Sequence, residues 1–324
     1  MAFSKENLAL DRPKEADRIG DAMRRQLKEM RRKGLVLGIS GGIDSSVTAA
    51  LAVRALGKER VFGIFMPEND SDSETLHFSR MIAGHLGIRT VLEDISPALE
   101  ALGCYRRRNE AVASVIPAFT PDWKFKIVLP GPDHAGFNFY SVVARSPQGE
   151  EVKERLPLNA YLTLVAATNF KQRVRKMMEY YYADSLNFAV AGTPNRLEYD
   201  QGFFVKQGDG AADIKPIAHL YKTQVYDLAE YLGVPEPLRR RPPTTDTYSM
   251  AQSQEEFYFV LPYEKMDLCL CGYNAGAPAG EVAAAAGMTE SQVMRAFKDI
   301  AAKRSTTRYQ HLKPQLVEEI PDVG

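Results

Sequence analysis

The sequence has no surplus of charge and no long apolar run. Its 41 lysine and arginine residues balance 41 aspartate and glutamate residues, so no global field attracts nucleic acid or an anionic membrane. The charged N-terminal stretch lacks the apolar core of a signal peptide, and no run of about 20 apolar residues follows it. We therefore expect a cytoplasmic protein that binds neither nucleic acid nor membranes.

Cysteine is scarce as well. Cys104, Cys269 and Cys271 are the only three cysteines among 324 residues, too few for a disulfide framework or a four-cysteine zinc site. Cys269 and Cys271 point the same way if their stretch is extended, and we interpret them as packing residues. With 45% hydrophobic and 25% charged residues, the composition is typical of a globular protein rather than a disordered one.

Apolar runs alternate with amphipathic segments along much of the chain. Strand-like runs occupy residues 35–39, 60–66, 89–95 and 187–191, and helical patterns occupy residues 17–33, 44–56, 73–86, 159–186 and 223–232. This alternation predicts an α/β fold, a doubly wound, Rossmann-like parallel sheet with flanking helices. Polar clusters at 40–46, 67–71 and 193–198 follow strands, at the sheet edge where such folds bind ligands.

Residues 104–158 break this alternation. Short strand-like runs at 125–129, 137–144 and 151–156 are separated by proline- and glycine-containing turns, which predicts a small antiparallel β insertion. The insertion could lengthen a subunit interface, cover the active site or dock a partner.

An alanine-rich segment from about residue 278 predicts two helices, with Thr289 capping the second. A DNA-reading helix-turn-helix is one interpretation of this pair, but the neutral net charge favours a packing appendage. We expect one domain over residues 1–324 that includes the β insertion at about 104–158 and this helical part. About 34 residues without cysteine precede the first strand.

The segment Ser40-Gly41-Gly42-Ile43-Asp44-Ser45 lies between an apolar run and a helical pattern. The two glycines let the backbone approach a phosphate, and the helix start offers free N–H groups. The lysine of the common nucleotide loop is missing, and Asp44 stands where a carboxylate could hold Mg²⁺ against the same phosphates. The pattern Ser-Gly-Gly-x-Asp-Ser is similar to the loop of the ATP pyrophosphatases, which cut between the α- and β-phosphates of ATP to adenylate an acceptor.

Further motifs resemble those of the NAD synthases, which amidate nicotinate adenine dinucleotide (deamido-NAD) to NAD. Residues 192–198 are similar to the family's GT-x-N-x-x-E segment, and residues 202–210 and 213–217 resemble its GFFTKYGDG and DI-x-P segments. Residues 169–175 are similar to its N-x-x-x-R-x-R segment. Two ATP-contacting segments of the family have counterparts at residues 220–225 and 242–244.

The resemblance implies ATP as co-substrate, Mg²⁺ as cofactor and a set of site residues. The implied ATP contacts are Gly38, Ile39, Ser40, Gly41, Gly42, Ile43, Asp44, Ser45, Thr193, Lys222 and Thr244. The implied Mg²⁺ ligands are Asp44 and Glu198. The implied deamido-NAD contacts are Arg173, Lys206, Asp213, His311 and Lys313. The last two correspond to an adjacent His-Lys pair of the family, which Leu312 splits in this sequence.

The family's reaction begins with attack of the nicotinate carboxylate on the α-phosphorus of ATP, and pyrophosphate leaves. Ammonia then displaces AMP from the acyl-adenylate, because a free carboxylate would have to expel oxide. Asp44 and Lys222 are expected to act on the phosphates and the metal. Asp213 or Asp209 could take the proton of ammonium, and Asp213 is the predicted catalytic residue.

Two alternatives remain open. The sequence at 245–260 departs from the family's lid over the substrate, so the enzyme could adenylate and amidate a different carboxylate; Arg173, Lys206 and Asp213 argue against this. A nucleotide-binding regulatory protein without turnover is the second alternative, which the intact Asp44 and Lys222 argue against. The resemblance further implies a homodimer. Some members of the family carry an N-terminal glutaminase domain with a cysteine nucleophile, but only about 34 residues, none of them cysteine, precede the first strand here. We therefore expect no glutaminase domain, with ammonia taken free or from a separate glutaminase.

Overall fold

The computed structural model describes residues 2–129, 140–243, 247–250, 252, 255–259 and 261–321. The strands are β1 (Leu35–Gly38), β2 (Val61–Phe65), β3 (Arg89–Leu92), β4 (Lys124–Val128), β5 (Ser141–Arg145), β6 (Glu151–Arg155) and β7 (Ala189–Val190). The helices are α1 (Arg12–Glu29), α2 (Ile43–Leu56), α3 (Ser73–Leu86), α4 (Ser96–Ala101), α5 (Cys104–Ala113), α6 (Leu158–Leu186), α7 (Arg196–Gln201), α8 (Lys222–Tyr231), α9 (Glu236–Arg240), α10 (Tyr263–Ala275), α11 (Ala279–Ala286) and α12 (Glu290–His311).

A four-stranded parallel sheet in the order β3-β2-β1-β7 forms the centre of the molecule. The chain builds β1, β2 and β3 outward in one direction and returns on the other side of β1 as β7. The strand order therefore reverses between β1 and β7, which is where ligands bind in doubly wound folds. The predicted fold class is confirmed.

Both faces of this sheet are buried, which explains why β1 is apolar without alternation. Leu35 and Leu37 pack in one cluster with residues of α1, α2 and α8, while Val36 belongs to a second cluster with Val174 and Ala183 of α6. The helices thus cover the sheet on two sides and leave its carboxyl edge open.

Helix α1 begins earlier than its apolar stripe predicts. Asp11 precedes it and accepts a hydrogen bond from the Lys14 N–H at 3.2 Å, and Pro13 lies in the first turn. Both features favour a helix start at this point. The stripe at Ile19, Met23 and Leu27 marks only the buried part of the helix.

The insertion contains the antiparallel sheet β4-β5-β6, as predicted. Its buried residues, among them Phe125 and Val142, form a cluster with Val112 of α5 and Leu164 of α6. The segment that starts at Cys104 opens with helix α5, which was not predicted, and its first strand begins at Lys124. Of the predicted strand at 137–144, residues 137–139 lie outside the described part of the chain.

The C-terminal helices pack against one another around α10, through Leu268, Val282 and Val293. Thr289 caps α12, as predicted, and accepts a hydrogen bond from the Gln292 N–H at 3.2 Å. The premise of an extended stretch at Cys269 and Cys271 is wrong, because both lie in α10. Among the described residues, no helix combines the length and the apolar character needed to span a bilayer.

Candidate functional site

A cavity of about 590 Å³ opens at the carboxyl ends of β1 and β7. It is lined by the turn after β1, the turn after β7, one side of α6 and the segment around residue 205. The predicted site residues that line it are Gly38, Ile39, Ser40, Gly42, Ile43, Asp44, Ser45, Arg173, Thr193, Glu198, Lys206 and Lys222. The cavity therefore joins residues predicted for ATP with residues predicted for the acceptor.

The turn between β1 and α2, residues 39–42, has the geometry of an anion site. We call it the phosphate turn. Gly41 has a φ of 67°, and a Cβ there would lie 2.7 Å from the Thr75 carbonyl oxygen, so this position requires glycine. Helix α2 follows with Gly42 as its N-cap and no side-chain cap. Its first N–H groups are thus left for a ligand such as phosphate.

Two side chains from distant parts of the chain meet Asp44 at this turn. The Lys222 ammonium donates a hydrogen bond to one carboxylate oxygen, and the Asn195 amide donates to the other at 3.0 Å. Lys222 is only 2% exposed. Burial opposes its charge, but the carboxylates of Asp44 and Glu198 outweigh burial and raise the pKa of Lys222. The cavity thus holds a permanent cation beside the turn.

Asn195 also connects Asp44 to Glu198. Its side-chain oxygen accepts the Glu198 N–H at 3.2 Å, and the Glu198 carboxylate accepts the Asn195 N–H at 3.2 Å. This reciprocal capping starts α7 and holds Glu198 near the phosphate turn. Asn195 belongs to the motif at residues 192–198, but no role was predicted for it, because its contact with Asp44 spans 151 residues.

The carboxylates of Asp44 and Glu198 fit a Mg²⁺ ion that is shared with phosphate better than a metal ion bound by protein side chains alone. Among the residues that the structure describes, no group of three or more His, Cys, Asp or Glu side chains could hold a metal. Mg²⁺ is commonly bound by one or two carboxylates together with phosphate oxygens and water. Asp44 and Glu198 at a phosphate turn provide that donor set.

Asp267 of α10 supports Lys222 from behind and was missed by the sequence reasoning. Its carboxylate accepts the N–H groups of Lys222 at 3.2 Å and Thr223 at 2.7 Å, which caps α8 from another helix. Asp267 is fully buried, and this burial raises its pKa to about 7. No local sequence pattern predicts this cap of α8, because Asp267 lies 45 positions from Lys222 in the chain.

A second group of charges also lines the cavity, with Lys176 and Glu179 buried and Asp209 half-buried. The Glu179 carboxylate accepts a hydrogen bond from the Lys176 ammonium, and Asp209 accepts the Val205 N–H at 2.7 Å. Burial raises the pKa of both Glu179 and Asp209. A Cβ on Gly38 would lie 2.8 Å from Glu179, so glycine at the end of β1 makes room for this carboxylate.

Asp213 lies outside the lining of the cavity. Its carboxylate accepts the Val190 N–H at 2.7 Å and the Tyr180 hydroxyl at 3.4 Å. The adjacent Ile214 forms a parallel bridge with Ala191. In this structure Asp213 therefore holds the end of β7, and its predicted catalytic and substrate roles stay predictions.

Arg173 and Lys206, both predicted to bind the acceptor, lie together in the cavity lining. The Arg173 guanidinium donates to the Lys206 carbonyl at 3.4 Å. The Lys206 ammonium donates to the carbonyls of Tyr309 at 2.9 Å and Leu312 at 3.2 Å. The end of α12 is thus attached to the predicted acceptor site.

The remaining predicted site residues were not found in the cavity lining. Gly41 and Lys313 do not line the cavity, and Thr244 lies outside the described residues. His311 packs edge-on against the rings of Tyr199 and Phe204, with ring centroids 5.0 and 5.1 Å away. It lines a separate surface depression together with Lys215 and Arg308.

The sheet order and the phosphate turn define a doubly wound α/β protein with a nucleotide-phosphate site at its switch point. A family model described as NAD synthase matches residues 15–114 and 143–311. The chain belongs to the NAD synthase family. Residues 115–142, which include most of the insertion before β5, lie between the two matched segments.

Individual relatives agree with this assignment. The chain is 58% identical to the NH(3)-dependent NAD(+) synthetase of Rhizobium meliloti (strain 1021), over 100% of this chain and 97% of the relative. It is 34% identical to the NH(3)-dependent NAD(+) synthetase of Thermotoga maritima, over 76% of this chain and 83% of the relative.

Two solved structures have the same fold. The NMN synthetase from Francisella tularensis matches with a TM-score of 0.66 at 23% identity, over 96% of this chain and 100% of that one. The NH3-dependent NAD synthetase from Campylobacter jejuni matches with a TM-score of 0.62 at 22% identity, over 95% of this chain and 100% of that one.

Proposed function

We propose that the protein catalyses the ATP-dependent amidation of deamido-NAD to NAD with ammonia, through an acyl-adenylate and with release of AMP and pyrophosphate. Membership of the NAD synthase family supports this reaction. One structural observation carries the proposal: the Asp44–Lys222 pair at the phosphate turn shares a cavity with Arg173 and Lys206. Both substrates can therefore meet in one place.

The adenylation step needs positioning and charge rather than a protein nucleophile. The N–H groups at the start of α2 and the Lys222 ammonium bind the phosphates, and Thr193 and Thr244 complete the ATP site. The raised pKa of Lys222 keeps its charge at neutral pH, although the side chain is buried. Asp44 and Glu198 would hold Mg²⁺, which when bound neutralises charge on the phosphates.

The amidation step needs uncharged ammonia, so a base must take one proton from ammonium. Of the two aspartates considered, Asp209 lines the cavity and Asp213 does not. Burial raises the pKa of Asp209, which makes it a better proton acceptor than an exposed carboxylate. We assign the proton to Asp209, with Arg173 and Lys206 binding the anionic acceptor; Asp213, His311 and Lys313 remain candidate contacts to it.

A homodimer in the cytoplasm, supplied with free ammonia or ammonia from a separate glutaminase, completes the proposal. Helix α6 supports the dimer, because Leu158, Leu162, Met177 and Tyr181 are 72, 55, 60 and 61% exposed. At 100° per residue, these positions fall within about 140° of the helix surface. Arg173 is exposed on the same face, so an interface there would adjoin the acceptor site.

The test is a product assay with ATP, Mg²⁺, deamido-NAD and ammonium, in which AMP, pyrophosphate and NAD are measured. The proposal requires the three products in equal amounts. AMP release with another carboxylate but not with deamido-NAD would favour the alternative acceptor. No AMP with any acceptor would favour a regulatory nucleotide-binding protein.

A further inference from the structure

The cavity continues well beyond the phosphate turn. It follows α6, and its lining residues on that helix are Tyr161, Val165, Thr168, Asn169, Lys171, Gln172, Arg173, Arg175, Lys176 and Glu179. Glu179 lies beside Gly38 at the end of β1. Because a helix rises 1.5 Å per residue, Tyr161 lies about 27 Å along α6 from this end. The proposed function places ATP and its reacting phosphate at the β1 end, which leaves the Tyr161 end to the second substrate.

The far end of the cavity is aromatic, and the insertion provides part of it. Tyr140, just before β5, stacks on Tyr161 with ring centroids 4.7 Å apart and an interplanar angle of 13°. Tyr248 and Phe257 line the same end, and their ring centroids are 5.7 Å apart. Tyr140 lies within residues 115–142, between the segments that the family model matches. This part of the cavity wall therefore belongs to the insertion.

The insertion also holds the chain segment that carries Tyr248. Strand β4 binds it along its edge: the Phe125 N–H donates to the Ser249 hydroxyl at 2.9 Å, and the Met250 N–H donates to the Phe125 carbonyl at 3.1 Å. The Gln252 amide donates to the Ile127 carbonyl at 2.5 Å. The aromatic end is thus built on the β4 strand.

A buried lysine fixes this segment from the opposite side. The Lys171 ammonium donates to the Thr247 carbonyl at 2.9 Å, and also to Glu68 at 3.0 Å and Asp70 at 2.6 Å. Residues 247–252 are therefore held between α6 and the insertion wherever the structure describes them. The aromatic wall has a defined position, as a ring-binding surface requires.

We propose that Tyr140 of the insertion stacks on the adenine of deamido-NAD and so selects a dinucleotide acceptor. This inference rests on the proposed function. Arg173 and Lys206 are the proposed acceptor contacts in this cavity, so the adenosine half of the dinucleotide extends from them along α6 toward Tyr140. Tyr161, which stacks on Tyr140, lies about 18 Å along the helix from Arg173 at 1.5 Å per residue. A planar ring next to a planar adenine gains stacking energy whatever hydrogen bonds the base makes.

The test combines a substitution with a shortened substrate. Tyr140→Ala should raise the KM for deamido-NAD about tenfold, the usual cost of losing one aromatic stack. The KM for ATP should stay unchanged. Nicotinate mononucleotide lacks the adenosine half, so kcat/KM for this slower substrate should be the same in Tyr140→Ala and the wild type. Tyr140→Phe keeps the ring and should behave as the wild type.

Trp123→Leu is the matched control, because Trp123 lies in the same insertion and packs on Phe119 outside the cavity lining. It should change thermal stability without changing either KM. An unchanged KM for deamido-NAD in Tyr140→Ala, or an equal loss with the mononucleotide, would overturn the inference. A raised KM for ATP would indicate that Tyr140 binds the adenine of ATP rather than that of deamido-NAD, and this result would also overturn the inference. Failure of the wild type to form NAD would instead contradict the proposed function.

Discussion

At the scale of single residues, the site depends on a short chain of contacts around Asp44. Lys222 and Asn195 each bind one oxygen of its carboxylate, and Asn195 also caps the helix that carries Glu198. Each contact has a distinct function: Lys222 provides a fixed positive charge, and Asn195 links Asp44 to Glu198, the two carboxylates proposed to hold Mg²⁺. Single substitutions can therefore distinguish charge from position.

Replacing Asp44 should separate catalysis from folding. We expect Asp44→Asn to abolish AMP release, because one of two carboxylates for Mg²⁺ is lost. The buried Lys222 ammonium loses its charged partner, which should lower the free energy of unfolding by about 2 kcal/mol. Product assays and thermal unfolding of the same preparation measure both effects. AMP release near the wild-type rate would exclude Asp44 from the metal and phosphate site.

Replacing Asn195 should alter the dependence on Mg²⁺. We expect Asn195→Ala to lose about 1 kcal/mol of stability through the missing helix cap. It should also require about tenfold more Mg²⁺ for half-maximal AMP release, since residues that orient metal ligands have effects of this size. Mg²⁺ titrations of the initial rate provide the measurement.

Thr289→Ala is the control for Asn195→Ala. Thr289 caps α12 in the same reciprocal manner, and its partner residue is exposed at the surface. The two variants should lose similar stability, and only Asn195→Ala should shift the Mg²⁺ curve. A shift in both variants would mean that general loosening, not the orientation of Asp44 and Glu198, causes the effect.

At the scale of helices and strands, the sequence predicted the elements that carry their own start and stop signals. The run at β1, the glycine turn and the start of α2 follow from local chemistry, as does the Thr289 cap. Helix α10 was not predicted as a separate element, and an extended stretch was considered at Cys269 and Cys271, where leucines alternate with cysteines. Residues 266–270 of α10 are all buried. A helix buried on every side has no polar face, so its sequence lacks the periodic apolar stripe by which a helix is predicted.

The cap of α8 by Asp267 of α10 makes the joint between these two helices sensitive to pH. The pKa of Asp267 is raised from 3.8 to about 7. Between these two pH values Asp267 is protonated in the folded protein and ionised in the unfolded chain. Stability from this group is therefore greatest below pH 4 and falls as the pH rises to 7. We expect Asp267→Asn to remove this part of the pH dependence.

The measurement is the difference in melting temperature between wild type and Asp267→Asn, taken at several pH values from 4 to 8. The variant should gain relative to the wild type as the pH rises, and the difference should level off above pH 7. Other titrating groups cancel because both proteins contain them. A constant difference across the range would show that Asp267 stays ionised in the folded state.

At the scale of the whole molecule, the proposed homodimer requires an apolar surface that a second copy of the chain can cover. The exposed apolar face of α6 is unusual for a helix whose opposite side packs on the sheet. We expect Leu162→Glu to convert a homodimer into monomers at micromolar concentration, because it places a charge in the apolar interface. Sedimentation velocity measures the change.

Met294→Glu is the control for this surface, since Met294 is also exposed, at 45%, but lies on α12. It should leave the dimer intact. A wild-type protein that sediments as a monomer would contradict the proposed dimer, and equal dissociation by both substitutions would contradict the choice of α6.

The sequence by itself determined the order of strands and helices, the phosphate turn and the family motifs. These depend on residues that are neighbours in the chain, where glycine, caps and apolar runs act directly on the backbone. Only the tertiary structure decided that Lys222 meets Asp44 across 178 residues, that Asp213 supports β7 instead of lining the cavity, and that Tyr140 of the insertion lines its far end. Such contacts depend on how the sheet and helices pack, and no local pattern of residues encodes a distance between two segments that are far apart in the chain.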